Sequence, residues 1–143
     1  MSGIIFSFLA GVFITLQSVF NTRVSDKIGL VETTVIVHAI GFIVAAIAMI
    51  ILGNGNFKRL QEVNKLYLLG GAFGVIIVYS VMKGISLLGA TFSVAILLIT
   101  QLIFATIIDT FGLFGSSQIK FDFTKLLGIL IMIVGIIIFK LKG

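Results

Sequence analysis

Cysteine and proline are absent from this chain, histidine occurs once, and charged side chains make up only 10% of its 143 residues. Without cysteine there is no disulfide and no thiolate metal site, and the redox compartment cannot be read. Without proline, any bend or break in a helix must come from glycine, of which there are 16. An ordinary soluble domain is roughly 25% charged. Here apolar residues reach 59% and mean hydropathy is +1.31. A soluble fold of this size buries about 70% of its chain surface, which would still leave an apolar exterior in water. Soluble globular, disordered, collagenous and disulfide-rich classes are thereby excluded. An integral membrane protein remains. The net charge of +5 would point to nucleic acid only if the basic residues clustered. They sit instead at the ends of apolar runs, as headgroup anchors do, so no nucleic-acid partner is expected.

A spanning helix needs about 20 apolar residues. Five such stretches lie at about 3–20, 31–52, 66–88, 90–111 and 126–139. They lack the strict alternation of barrel strands, and helices satisfy their own backbone in lipid. The expectation is an all-α integral membrane protein, with five transmembrane helices forming a single domain over residues 1–143. The first stretch has no basic region ahead of it and no convincing small-residue cleavage site after it, so it reads as a retained span. Polar breaks follow at Asn21-Thr22-Arg23 and at Gly53-Asn54-Gly55-Asn56, and the longest loop carries Lys58, Arg59, Glu62 and Lys65. Gly89 alone separates the third and fourth stretches, and Gly115-Ser116-Ser117-Gln118 precedes the fifth.

An odd number of spans places the termini on opposite sides. Lys58, Arg59, Lys65, Lys120 and Lys125 then share one side, and Arg23, Lys27, Lys83, Lys140 and Lys142 the other. Orientation follows Lys/Arg asymmetry, and the two sets are equal. A chain without bias is expected to insert both ways. Two such copies would form an antiparallel homodimer, the equivalent of two inverted repeats around a midplane substrate site. A protein oriented by its first helix alone is the simpler alternative.

Polar groups inside spans mark helix contacts or pathways. Gln17 and Asn21 lie one turn apart on the first helix, beside a small-residue row of Gly3, Ser7, Gly11 and Thr15. The row suits close helix packing; the two carboxamides supply several donors and acceptors. On the fourth helix Gln101, Ala105 and Asp109 recur every fourth residue. Gln101 is central, and Asp109 lies about 12 Å further along, where it is either a proton or cation site or a headgroup contact. His38 is a candidate proton carrier, or a neutral side chain bonded to a carbonyl. Tyr79 follows Gly70 and Gly74, whose spacing allows tight packing, and is expected to face a cavity. Substrate binding is assigned to Gln17, Asn21, Tyr79 and Gln101, and proton coupling to Asp109 and His38. No catalytic constellation, metal site or cofactor is expected, and the chain does not read as an enzyme.

The runs Leu16-Gln17-Ser18-Val19-Phe20-Asn21, Gly70-Gly71-Ala72-Phe73-Gly74, Gly89-Ala90-Thr91 and Gln101-Leu102 resemble the YdcZ-type family. So does the stretch from Ile107-Ile108-Asp109 to Phe114-Gly115. This is the short, five-helix branch of the drug/metabolite transporter superfamily. The resemblance implies a bacterial inner-membrane, multi-pass protein, half of a ten-helix inverted-repeat transporter, paired with an oppositely oriented chain. Two positions depart from the family pattern: Thr100 stands where a glycine is usual, and Ser86-Leu87-Leu88 replaces a proline-containing approach to Gly89. The leading reading is a secondary transporter of a small organic solute by alternating access. A small ion channel, or a non-transporting subunit that needs an oppositely oriented partner chain, are the other readings. Its partners would be a second copy of itself, membrane lipid and the small-molecule substrate.

Overall fold

The computed structural model describes residues 2–141; Lys142, counted in the charge balance, lies outside the described residues. Five α-helices follow one another: α1 (Ser2–Ile28), α2 (Leu30–Leu52), α3 (Gly70–Leu88), α4 (Ala90–Phe111) and α5 (Phe123–Lys140). Short 3₁₀ turns occupy Phe57–Glu62, Lys65–Leu69 and Leu113–Gly115, and there is no strand among the described residues. All five helices, α3 together with the preceding turn as Lys65–Leu88, are long and apolar enough to cross a membrane. The protein is an all-α, five-helix membrane protein. The chain divides into two compact units, Met1–Leu87 and Leu88–Gly143. In the first, α1 packs against α2; in the second, α4 packs against α5.

Helix α1 does not end with its apolar run near Phe20. It continues through Asn21, Arg23, Asp26 and Lys27 to Ile28, with Arg23 and Asp26 paired at 3.8 Å. Polarity ends a hydrocarbon span, but only a backbone breaker ends a helix, and residues 21–28 contain no glycine or proline. The 27-residue helix is therefore about 40 Å long, against about 30 Å of hydrocarbon. Gly29 stops it at φ 98°, ψ 158°, and α2 begins on the next residue. Gly89 repeats this one-residue turn between α3 and α4 at φ 79°, ψ 160°. Both conformations are open essentially only to glycine.

The remaining boundaries also follow local hydrogen bonds. The third helix begins at Gly70 rather than 66, because the Asn64 side chain accepts from the Leu66 amide and opens a 3₁₀ turn over Lys65–Leu69. The fifth begins earlier than 126, because the Asp122 carboxylate accepts from the Thr124 amide at 3.1 Å and caps the first turn.

Burial is inverted relative to a soluble protein. Among the described residues the buried apolar side chains are Met82 and Ile85, whereas Ser18, Asn21, Thr22, Thr33 and Thr34 are buried polar ones. The apolar side chains face outward along every helix, as lipid solvation allows.

Replacing Gly29 or Gly89 by alanine is expected to cost about 1–3 kcal/mol each, the usual penalty for a glycine-only backbone. At Gly29 a Cβ would also meet the Glu32 carboxylate, whereas at Gly89 it would meet open space. Thermal unfolding in detergent should therefore show both variants less stable, Gly29→Ala the more so.

Candidate transport site

The buried polar side chains of the first unit lie on the last turns of α1 and the first turns of α2, on either side of Gly29. Their hydroxyls bond back into their own helices. Ser18 donates to the Ile14 carbonyl at 2.6 Å, Thr22 to Ser18 at 2.8 Å, Thr33 to Gly29 at 2.7 Å and Thr34 to Leu30 at 2.8 Å. Self-satisfied hydroxyls can pack closely without waiting for a ligand. Asn21 differs: it is only 8% exposed, and a carboxamide has more donors and acceptors than one back-bond can use. Gln17, one turn earlier, is exposed on α1.

His38 lies one turn beyond Thr34. Its Nδ1 is 2.8 Å from the Thr34 carbonyl oxygen. A carbonyl can only accept, so Nδ1 carries the hydrogen, and in the neutral ring Nε2 is left with its lone pair. That Nε2 faces α3: a Cβ built on Gly74 would stand 3.4 Å from it. Gly74 thus admits an imidazole from α2 near the α3 backbone, whereas a Cβ on Gly70 would meet open space. Tyr79, further along α3, is 40% exposed. The small-residue row of α1 is open as well. Ser7, Gly11 and Thr15 line a shallow groove of about 530 Å³ with Phe8, Val12 and Leu16.

In the second unit Gln101 is exposed in the middle of α4, and Asp109 is half-buried near its end. The chain after Asp109 folds back over the helix terminus. Gly112, in the left-handed conformation at φ 61°, donates its amide to Ile108. The Ser116 hydroxyl donates to the same carbonyl at 3.3 Å, the Ile119 amide to Asp109 at 2.9 Å, and the Gln118 side chain to Thr110 at 3.1 Å. Three consecutive carbonyls that a helix end leaves open are satisfied in this way. Phe114 adopts a left-handed backbone, φ 57° and ψ 24°, to make the turn. Among the described residues the Thr110 hydroxyl is buried without a hydrogen-bond partner. At the opposite end of α4, the Lys140 ammonium of α5 lies 4.1 Å from the centre of the Phe92 ring.

Sequence reasoning did not single out Thr33, Thr34, Thr110 or the Ser116–Gln118 cap. The pairing of Ser18 with Thr22 and of Thr34 with His38, each four residues apart, was the available signal for the first cluster. Among the described residues no His, Asp and Glu side chains gather into a metal-binding group.

A family model described as "Putative inner membrane exporter, YdcZ" matches residues 2–138. The chain belongs to the YdcZ family. As a YdcZ protein it is a multi-pass inner-membrane protein of the transporter kind. No curated protein and no solved structure matches it.

The approach of His38 to Gly74 has a measurable consequence. Gly74→Leu should cost about 1–3 kcal/mol by overpacking, while Gly74→Ala should be close to neutral in thermal unfolding. Combining Gly74→Leu with His38→Ala should recover part of the loss, because a side chain at position 74 would meet the imidazole.

Proposed function

We propose that this YdcZ protein works as an antiparallel, dual-topology homodimer that carries a small organic solute by alternating access, with no catalytic chemistry. The observation that carries this reading is the exposed carboxamide of Gln101 at the middle of a membrane-crossing helix. An amide facing hydrocarbon loses its hydrogen bonds with water, so a single chain is an incomplete solution to its own sequence. A second copy, inverted in the membrane, brings another Gln101 to the same depth. The open Ser7–Gly11–Thr15 groove supports the same reading, since small residues let a further helix approach closely. The equal Lys/Arg sets on the two sides supply the route to opposite insertion.

In this mechanism the substrate-binding residues are Gln101, Gln17, Asn21 and Tyr79. Amides and one phenol offer donors and acceptors without fixed charge, which suits a neutral or zwitterionic solute. Proton coupling falls to Asp109 and His38. The His38 Nε2, unprotonated in the neutral ring, is the acceptor on the first unit, and Asp109 the carboxylate on the second.

Two experiments test the proposal. Gln101→Leu should nearly abolish solute flux into liposomes while leaving the dimer folded, because each lost buried hydrogen bond costs about 1–3 kcal/mol. Asp109→Asn should keep binding and remove the pH dependence of flux. Normal flux in Gln101→Leu would reduce the amide to interhelical glue and overturn the site. For topology, a single cysteine at Ser117, in a chain that has none of its own, should label partly from outside intact cells. Labelling from one side alone would replace the homodimer with an oppositely oriented partner chain.

A further inference from the structure

The residues between α2 and α3 read as an ordinary basic loop in the sequence, but the structure gives them a period. Phe57–Glu62 forms a 3₁₀ turn, capped by the Asn56 side chain accepting from the Lys58 amide at 2.9 Å. A 3₁₀ helix has three residues per turn, so side chains three apart eclipse one another. Phe57 and Leu60 therefore share one face of the turn, and Lys58 and Gln61 another. Val63 follows the turn on extended backbone, φ −86° and ψ 136°, and with Phe57 and Leu60 it lines one groove of about 500 Å³ against the end of α2 at Met49. The second turn, Lys65–Leu69, puts Leu66 and Leu69 three apart in the same way. These apolar side chains are exposed, Phe57 at 76%. The segment is fixed at the membrane boundary by the chain itself, since α2 ends at Leu52 and α3 starts at Gly70.

Charge completes the picture. Lys58, Arg59 and Lys65 stand in this segment against one carboxylate, Glu62. Arg59 reaches Glu62 at 3.2 Å, yet its side chain stays 75% exposed and also lines the apolar groove. We propose that this groove is a binding site for an anionic phospholipid, with Phe57, Leu60 and Val63 against the acyl chains and Arg59, which lines the groove, on the headgroup phosphate. Lys58 and Lys65, in the same segment, add the positive charge that favours an anionic headgroup. Anionic headgroups complement the net positive charge, and an apolar ridge beside basic side chains matches the layering of the bilayer interface. The site needs no substrate and does not depend on the dimer.

The chain has no tryptophan, so a single introduced one reports cleanly. Full-length Phe57→Trp, Leu60→Trp and Gln61→Trp variants are reconstituted in vesicles of zwitterionic lipid containing a minor fraction of lipid with brominated acyl chains. Tryptophan at 57 and 60 should emit at short wavelength and be quenched by the brominated chains, while tryptophan at 61 should be quenched by aqueous iodide instead. For Phe57→Trp, brominated anionic lipid should quench at a several-fold lower fraction than brominated zwitterionic lipid. That preference should fall by up to about fivefold in Lys58→Gln or in Lys65→Gln, and be lost in the double variant; these are exposed residues, and unchanged circular dichroism confirms the fold. Equal quenching by the two lipids would overturn the anionic preference. Exposure of tryptophan to iodide at all three positions would overturn the site, and burial from both quenchers would give the groove to a protein neighbour.

Discussion

Hydrocarbon offers no hydrogen-bond partner, and this constraint organises the whole chain. Each backbone amide and carbonyl must be satisfied along its own segment, which leaves helices as the form for five apolar stretches. The same demand reaches the side chains. Ser18, Thr22, Thr33 and Thr34 return their hydroxyls to carbonyls one turn back, so polar residues can be buried in the first unit beside Met82 and Ile85. It reaches the helix ends too. The chain after α4 turns through Gly112 and Phe114 so that Ser116, Gln118 and Ile119 cover the carbonyls of Ile108, Asp109 and Thr110.

Some polar groups escape this internal satisfaction, the Thr110 hydroxyl among them. A serine or threonine hydroxyl is satisfied by one back-bond, but a carboxamide is not. Gln17 and Gln101 remain exposed on helices of membrane-spanning length, and Asn21 is enclosed at the α1–α2 corner. His38 is an intermediate case. One ring nitrogen is fixed by the Thr34 carbonyl and the other is presented toward Gly74 on α3.

The candidate residues were legible because polar side chains stand out in apolar runs. Gln101 and Asp109 need no structure to be noticed, and the fourfold spacing places them along one face of a helix. What was not legible was their setting. The Thr34–His38 bond fixes a tautomer, and nothing in the residue order states which ring nitrogen faces α3. The cap over Asp109 depends on a left-handed Phe114, a conformation that sequence propensity assigns to glycine or asparagine instead. The period of three after α2 was hidden for a similar reason. Phe57 and Leu60 alone fit neither the α-helical nor the strand template, and only the 3₁₀ backbone turns that spacing into a face.

Composition by itself determined that this is a membrane protein, and the apolar runs determined five spans, because transfer into lipid is a sum over residues and needs no geometry. The one-residue turn at Gly89 was also written in the sequence, since a single glycine stood between two apolar runs with nothing else to break them. The end of α1 was in the sequence as well, though not in its hydropathy: a helix stops at a backbone that can leave it, here Gly29, and not where hydropathy falls. Tertiary structure decided which few side chains are enclosed: Met82 and Thr33 almost completely, while most large apolar side chains turn outward. Burial depends on which helix faces meet, and in lipid, where apolar faces gain little by meeting, the sequence pattern alone does not choose them.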